Sequence, residues 1–174
     1  MRITLPDPSL VVLVGPAGAG KSTFAARHFA PDEVLSSDAF RALIAGDEAD
    51  QTATGPAFAA LHRALDARLR ARRLTVVDAT NVEAHARRAL IARARAAGLP
   101  AVAIVFELDL AAVVARSGTR RGRVVGEDVV RRHHATLSGA LAADRLAGEG
   151  FAAVVRLRTD AELDAVRIRR RRTE

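Results

Sequence analysis

Apolar runs and helical stripes alternate along the chain. Leu10–Val14 is a continuous, valine-rich apolar run, the pattern of a strand buried on both faces. Shorter runs follow at 33–36, at 74–77 (ending in Asp78), at 101–106 and at 153–157. Between them lie segments with helical spacing. The clearest is 57–72, where Phe58, Leu61, Leu65 and Leu69 recur every three or four residues and make one apolar stripe. Further helices are predicted over 21–28, from Asp38 through Ile44, over 84–97 (stopped by Gly98 and Pro100), over 110–116, through a long stretch ending near Ala147, and from Ala161. Two stretches break the rhythm: the polar segment 45–56, and 117–126, which carries three glycines and Arg120, Arg121 and Arg123. Five strands alternating with helices predict an α/β fold, a three-layer sandwich with a parallel sheet and helices on both faces.

Composition narrows the class. The 174 residues are one domain's worth, 49% hydrophobic and 27% charged. Residues 1–170 read as that domain and 171–174 as a basic tail, a solvated end or the start of a linker. The absence of cysteine excludes disulfides, thiolate metal sites and a cysteine nucleophile. No apolar run has the length of a signal-peptide core or a membrane span, so a cytoplasmic protein without membrane contact is expected. The net charge of +7 fits a polyanionic partner, and it equally fits arginine on solvated helix faces. Against that arginine background Lys21 is the only lysine.

Lys21 sits in a glycine-rich segment with defined chemistry. Gly15-Pro16-Ala17-Gly18-Ala19-Gly20-Lys21-Ser22 matches the Walker A spacing, with Thr23 next. Glycines let the backbone turn its N–H groups inward onto phosphate oxygens, and the helix behind adds its N-terminal dipole. In such a loop the lysine reaches the β- and γ-phosphates and the serine hydroxyl ligates Mg²⁺. A buried strand before the loop and a helix after it are the context this pattern requires.

Three further places carry candidate chemistry. Asp38 follows the second strand, at the sheet edge where parallel α/β proteins bind ligands; it reads as a base for an attacking hydroxyl or as a helix cap. Arg41, one turn on, shares its face and suits a phosphate on the acceptor. Asp78 ends the third strand, either near Mg²⁺, directly or through water, or as a turn aspartate with Thr80 and Asn81 capping the helix behind it. In the arginine loop, Arg116 and Arg120 are four apart and Arg121 or Arg123 can take the place of Arg120, since the register is not readable. An arginine brought in by a closing loop would neutralise the transferred phosphoryl group.

Gly15 to Thr23, Ser36-Ser37-Asp38-Ala39-Phe40-Arg41, Gln51 to Gly55, Val76 to Asn81 and the arginine loop together resemble the kinase domain of bacterial polynucleotide kinase-phosphatase, an RNA end-healing family. The resemblance runs from about Ile3 to Val166. It implies a P-loop fold with a lid and transfer of the γ-phosphate of ATP or another nucleoside triphosphate to a 5′-OH RNA or DNA end. Mg²⁺ is implied, with Mn²⁺ able to substitute. Asp38 would be the general base; Lys21, Arg116 and Arg120 would act on the phosphoryl group, and Arg123 with residues 15–23 would bind the triphosphate. Arg41, Gln51, Thr52, Thr54, Thr80 and Asn81 would form the acceptor pocket. Ser22 would hold the metal directly and Asp78 through water. Phosphatase and ligase motifs are missing from this sequence, so such modules would be partners, and a homodimer is a further expectation. Two other readings compete: a kinase of a small-molecule or nucleotide hydroxyl, and a non-catalytic nucleotide- and nucleic-acid-binding module. With 3% aromatic residues and neither Tyr nor Trp, the chain offers little for base stacking, which weighs against the second.

Overall fold

The computed structural model describes residues 1–46, 54–118 and 125–173. The strands are β1 (Arg2–Asp7), β2 (Leu10–Val14), β3 (Val34–Ser36), β4 (Thr75–Asp78), β5 (Ala101–Phe106), β6 (Ala153–Leu157) and β7 (Arg167–Arg172). The helices are α1 (Lys21–His28), α2 (Ser37–Ala45), α3 (Thr54–Arg70), α4 (Ala84–Ala96), α5 (Leu110–Gly118), α6 (Glu127–Ala142), α7 (Arg145–Gly148) and α8 (Asp160–Ala165).

The expected five-stranded parallel sheet is present, in the order β3-β4-β2-β5-β6. β2 and β5 are apolar throughout because both faces are covered. Leu10, Val12 and Val14 of β2 pack into one core with Leu61, Leu65, Leu69, Leu90 and Ile91 from α3 and α4. Val11 and Leu13 point the other way, to Phe24, Phe29, Val113 and Phe106. The register aligns Leu13 of β2, Asp78 of β4 and Ser36 of β3 side by side. Three strand ends therefore release their chains along one carboxyl edge, and the phosphate loop, the Asp38 helix and the Asp78–Thr80 turn start there.

Several boundaries differ from expectation. The basic tail is a strand: β7 pairs in parallel with β1 as a separate two-stranded sheet, and neither strand is predicted by the apolar pattern. Its formation rests on the β1 ladder, with Ile3 and Leu5 buried beneath it, and on Arg170, whose fork donates to both Glu33 carboxylate oxygens at 2.6 and 2.7 Å. The long helix predicted to reach Ala147 breaks at Asp144, which has a positive φ of 49° between α6 and α7. α3 starts at Thr54 and admits Pro56 in its first turn, where the missing N–H costs nothing. Among the described residues no helix is long and apolar enough to cross a membrane.

Candidate active site

The phosphate loop joins β2 to α1. Gly18 and Gly20 hold φ of 82° and 89°, a conformation that side chains disfavour. Gly18 has a second constraint: a Cβ there would lie 2.5 Å from the Val113 carbonyl of α5. The loop backbone thus rests directly on α5, and the next turn of that helix brings Arg116 beside Gly18, Gly20, Ser22 and Thr23. Arg116 Nη2 is held 2.5 Å from an Asp160 carboxylate oxygen at the start of α8. Lys21 is buried, and its Nζ donates to the Gly15 carbonyl at 2.9 Å and the Pro16 carbonyl at 2.8 Å. These bonds curl the ammonium over the loop it serves. Pro16, Ala17 and Ala19 form the buried backing of the loop, whereas Ser22 and Thr23 are exposed at the first turn of α1.

A cleft opens between this loop and the β3–β4 side of the sheet. Lys21, Ser22, Asp38, Arg41, Thr54, Asp78 and Thr80 all line it. Residues far apart in sequence converge because β2, β3 and β4 end together. Ser36 caps α2, its Oγ accepting from Ala39 N at 3.4 Å, so capping falls to Ser36 and Asp38 stands in the first turn. Asp38 accepts a hydrogen bond from Arg41 Nη2, an i,i+3 ion pair. The arginine side chain is 4% exposed and the carboxylate 20%, so the anion faces the cleft while the cation is set into its wall.

Asp78 is 6% exposed and lines the cleft. With the Ser22 hydroxyl it supplies hard oxygen donors to one cleft, the donor type Mg²⁺ selects. Among the described residues no group of three His, Cys, Asp or Glu converges as a metal cage. Mg²⁺ held by few protein ligands and completed by phosphates and water needs none. The residues present fit that ion.

Not every predicted site residue lines the cleft. Asn81 is buried at a φ of 49°, and its Nδ2 donates to the Leu13 carbonyl at 2.8 Å. It ties the β4–α4 turn to β2. Gln51, Thr52, Arg120, Arg121 and Arg123 lie outside the described residues. Conversely, Phe58 of α3, Val125 and His133 of α6 line the cleft, and sequence reasoning assigned them no place in it. For His133 a signal existed. Val130, Leu137 and Leu141 form the inward stripe of α6, and His133 and His134 interrupt it. His134 is accounted for by its Nε2 contact with the Leu108 carbonyl at 3.0 Å.

A parallel sheet whose central strand feeds a Walker A loop, with a carboxylate–arginine pair across the cleft, defines a P-loop fold of the kinase type. The AAA domain family matches residues 10–143, and the chain belongs to that family. No curated protein matches it in sequence. Among solved structures it is similar to a chain of the Pnkp1/Rnl/Hen1 RNA repair complex, with a TM-score of 0.67 and 22% identity over 80% of this chain and 47% of that one. The chain thus spans about half the length of that relative. It is also similar to a gluconokinase from Sinorhizobium meliloti 1021 (TM-score 0.55, 20% identity, 92% and 87% covered). A third is shikimate kinase from Acinetobacter baumannii in complex with shikimate (TM-score 0.55, 19% identity, 90% and 88% covered). At these identities the likeness establishes the fold. The sequence resemblance to the polynucleotide kinase-phosphatase family and these neighbours agree on the P-loop kinase scaffold.

Proposed function

We propose that the chain is a polynucleotide 5′-hydroxyl kinase that transfers the γ-phosphate of ATP or another nucleoside triphosphate to a 5′-OH end of RNA or DNA. The observation that carries this reading is the Asp38–Arg41 pair facing Lys21 and Ser22 across one cleft. A carboxylate alone serves any hydroxyl; an arginine set into the wall beside it suits an acceptor that brings its own phosphate.

In the reaction, loop N–H groups and Lys21 bind the β- and γ-phosphates, and Arg116 reaches them from α5. Asp38 accepts the proton of the 5′-hydroxyl as its oxygen attacks phosphorus in line. The new O–P bond forms as the bond to the β-phosphate oxygen breaks, and the nucleoside diphosphate leaves. Ser22 directly and Asp78 through water would hold Mg²⁺, which would supply positive charge against the charge developing on the phosphates. Thr54 and Thr80, which line the same cleft, offer hydroxyls to the acceptor.

A small-molecule kinase is the competing reading, favoured by the near-complete coverage of the gluconokinase and shikimate kinase chains, against 47% of the RNA-repair chain. One experiment separates them: a γ-labelled nucleoside triphosphate with Mg²⁺ is offered a 5′-OH oligonucleotide, its 5′-phosphorylated counterpart, gluconate and shikimate in parallel. Label on the 5′-OH oligonucleotide alone supports the proposal. Label on a small hydroxy acid, or on the blocked oligonucleotide, rejects it.

A further inference from the structure

A row of exposed arginines lies on the two-stranded sheet, outside the cleft. The β1–β7 register places Arg2 beside Arg167, Thr4 beside Arg169 and Pro6 beside Arg171. Alternation puts these on one face of the two-stranded sheet, because Ile3 and Leu5 are buried on the other. Arg2, Arg167, Arg169 and Arg171 are all exposed, and none of the ion pairs among the described residues engages them. Carboxylates near this flank are committed elsewhere: Glu33 to Arg170, Asp164 to Arg27 and Asp160 to Arg116.

Spacing makes this face a row. Alternate residues of a parallel strand lie roughly 6.6 Å apart, so Arg167, Arg169 and Arg171 span about 13 Å, with Arg2 about 4.8 Å to the side. Guanidinium groups bind phosphate oxygens through two parallel N–H donors, and a row of them follows a phosphodiester backbone. The row also has a defined relation to the site. α1 begins at Lys21 and ends at His28, which lies within electrostatic reach of Arg167. At about 1.5 Å per residue that helix runs roughly 11 Å from the phosphate loop to the His28 end, on the side where the row lies. The outward face carries no aromatic or large apolar side chain, which a membrane-binding surface needs for insertion.

We infer that the outer face of the β1–β7 sheet is a sequence-independent binding surface for the phosphate backbone of a single-stranded nucleic acid. It goes beyond the proposed reaction, since it concerns the strand behind the reacting end and not the end itself.

The test is fluorescence anisotropy of a 3′-labelled single-stranded RNA 20-mer, without nucleotide, at several salt concentrations. Wild type is compared with R169T/R171T and with R2T/R167T/R169T/R171T; threonine retains strand propensity. The expected result is a Kd that rises stepwise, by roughly tenfold for the quadruple variant, with the log–log salt slope falling by about 0.7 for each phosphate that is no longer neutralised. Circular dichroism of both variants, and nucleotide binding at the phosphate loop, are expected to match wild type. If the quadruple variant fails to fold, the double variant alone decides. An unchanged Kd and slope would overturn the inference and leave the arginines as guards of an exposed strand edge. Loss of binding to anionic phospholipid vesicles with RNA binding intact would overturn it in favour of a membrane surface. Because no nucleotide or transfer is involved, failure of the proposed kinase reaction would leave this readout untouched.

Discussion

Arg87–Glu149 and Arg41–Asp38 are built from the same two groups and do opposite work. In the first, Arg87 Nε and Nη2 each donate to Glu149 at 2.6 Å, while Nη1 donates to the Asn81 and Val82 carbonyls at 3.0 and 2.6 Å. Both side chains are closed off, at 1% and 5% exposure. In the second the arginine is equally buried, yet its carboxylate opens on the cleft. The first pair rivets α4 to the segment after α7. The second leaves its anion open on the cleft. What separates the two pairs is the exposure of the acid, a property no sequence pattern displays.

That contrast can be broken from either side. The largest effect is expected at Asp38→Ala, where removal of a general base lowers transfer to a 5′-OH oligonucleotide by on the order of 10²–10⁴-fold with melting close to wild type. Full activity in that variant would return Asp38 to a structural part. Glu149→Ala is the mirror case. It strands a buried guanidinium and is expected to cost about 3–5 kcal/mol, which for a chain of this size lowers Tm by roughly 2–4 °C per kcal/mol. Specific activity of the folded fraction should hold. Calorimetry paired with initial rates checks both.

A smaller change sharpens the comparison. Arg41→Lys keeps the charge and loses the fork, so KM for the oligonucleotide is expected to rise by roughly 10–100-fold while nucleotide binding stays constant. An equal loss for nucleotide and acceptor would show that Arg41 shapes the whole cleft.

The smallest effect concerns acid stability. The hydrogen bond from Arg170 holds the Glu33 carboxyl below its ordinary value of 4.5, and Arg156 does the same for Glu107. A depressed folded pKa contributes stability that is complete above the unfolded value and lost as pH falls through the folded one. Tm is therefore expected to decline below about pH 4.5, and Arg170→Gln is expected to flatten the Glu33 part of that decline. A Tm independent of pH down to about 3 would show that neither pair stabilises the fold.

What was legible in the sequence, and what was not, follows from how local the cause is. Leu10–Val14 and the Walker A glycines carry their own signals, since a doubly buried strand and a phosphate turn both constrain residue type at consecutive positions. The pairing of Asp38 with Arg41 was legible because helical spacing places them one turn apart. β7 was not legible: only Ile168 of its residues is apolar, and the strand exists through the β1 ladder and the Glu33 partner of Arg170, both distant in sequence. The Arg116–Asp160 contact bridges 44 residues and left no local trace. The bond from Asn81 to the Leu13 carbonyl was not legible, because a polar residue at a strand's carboxyl end looks the same whether it faces a ligand or a backbone carbonyl.

The central claim is that one cleft brings a 5′-hydroxyl, the Asp38 carboxylate and the transferred phosphate together. A crystal structure with a non-hydrolysable Mg²⁺-nucleotide and a 5′-OH oligonucleotide tests it most directly. The terminal O5′ is expected within roughly 2.6–3.2 Å of an Asp38 oxygen, with the metal beside Ser22 and Asp78. An oligonucleotide whose 5′ end lies outside the cleft, or an Asp38 turned from it with the nucleotide in place, would contradict the account.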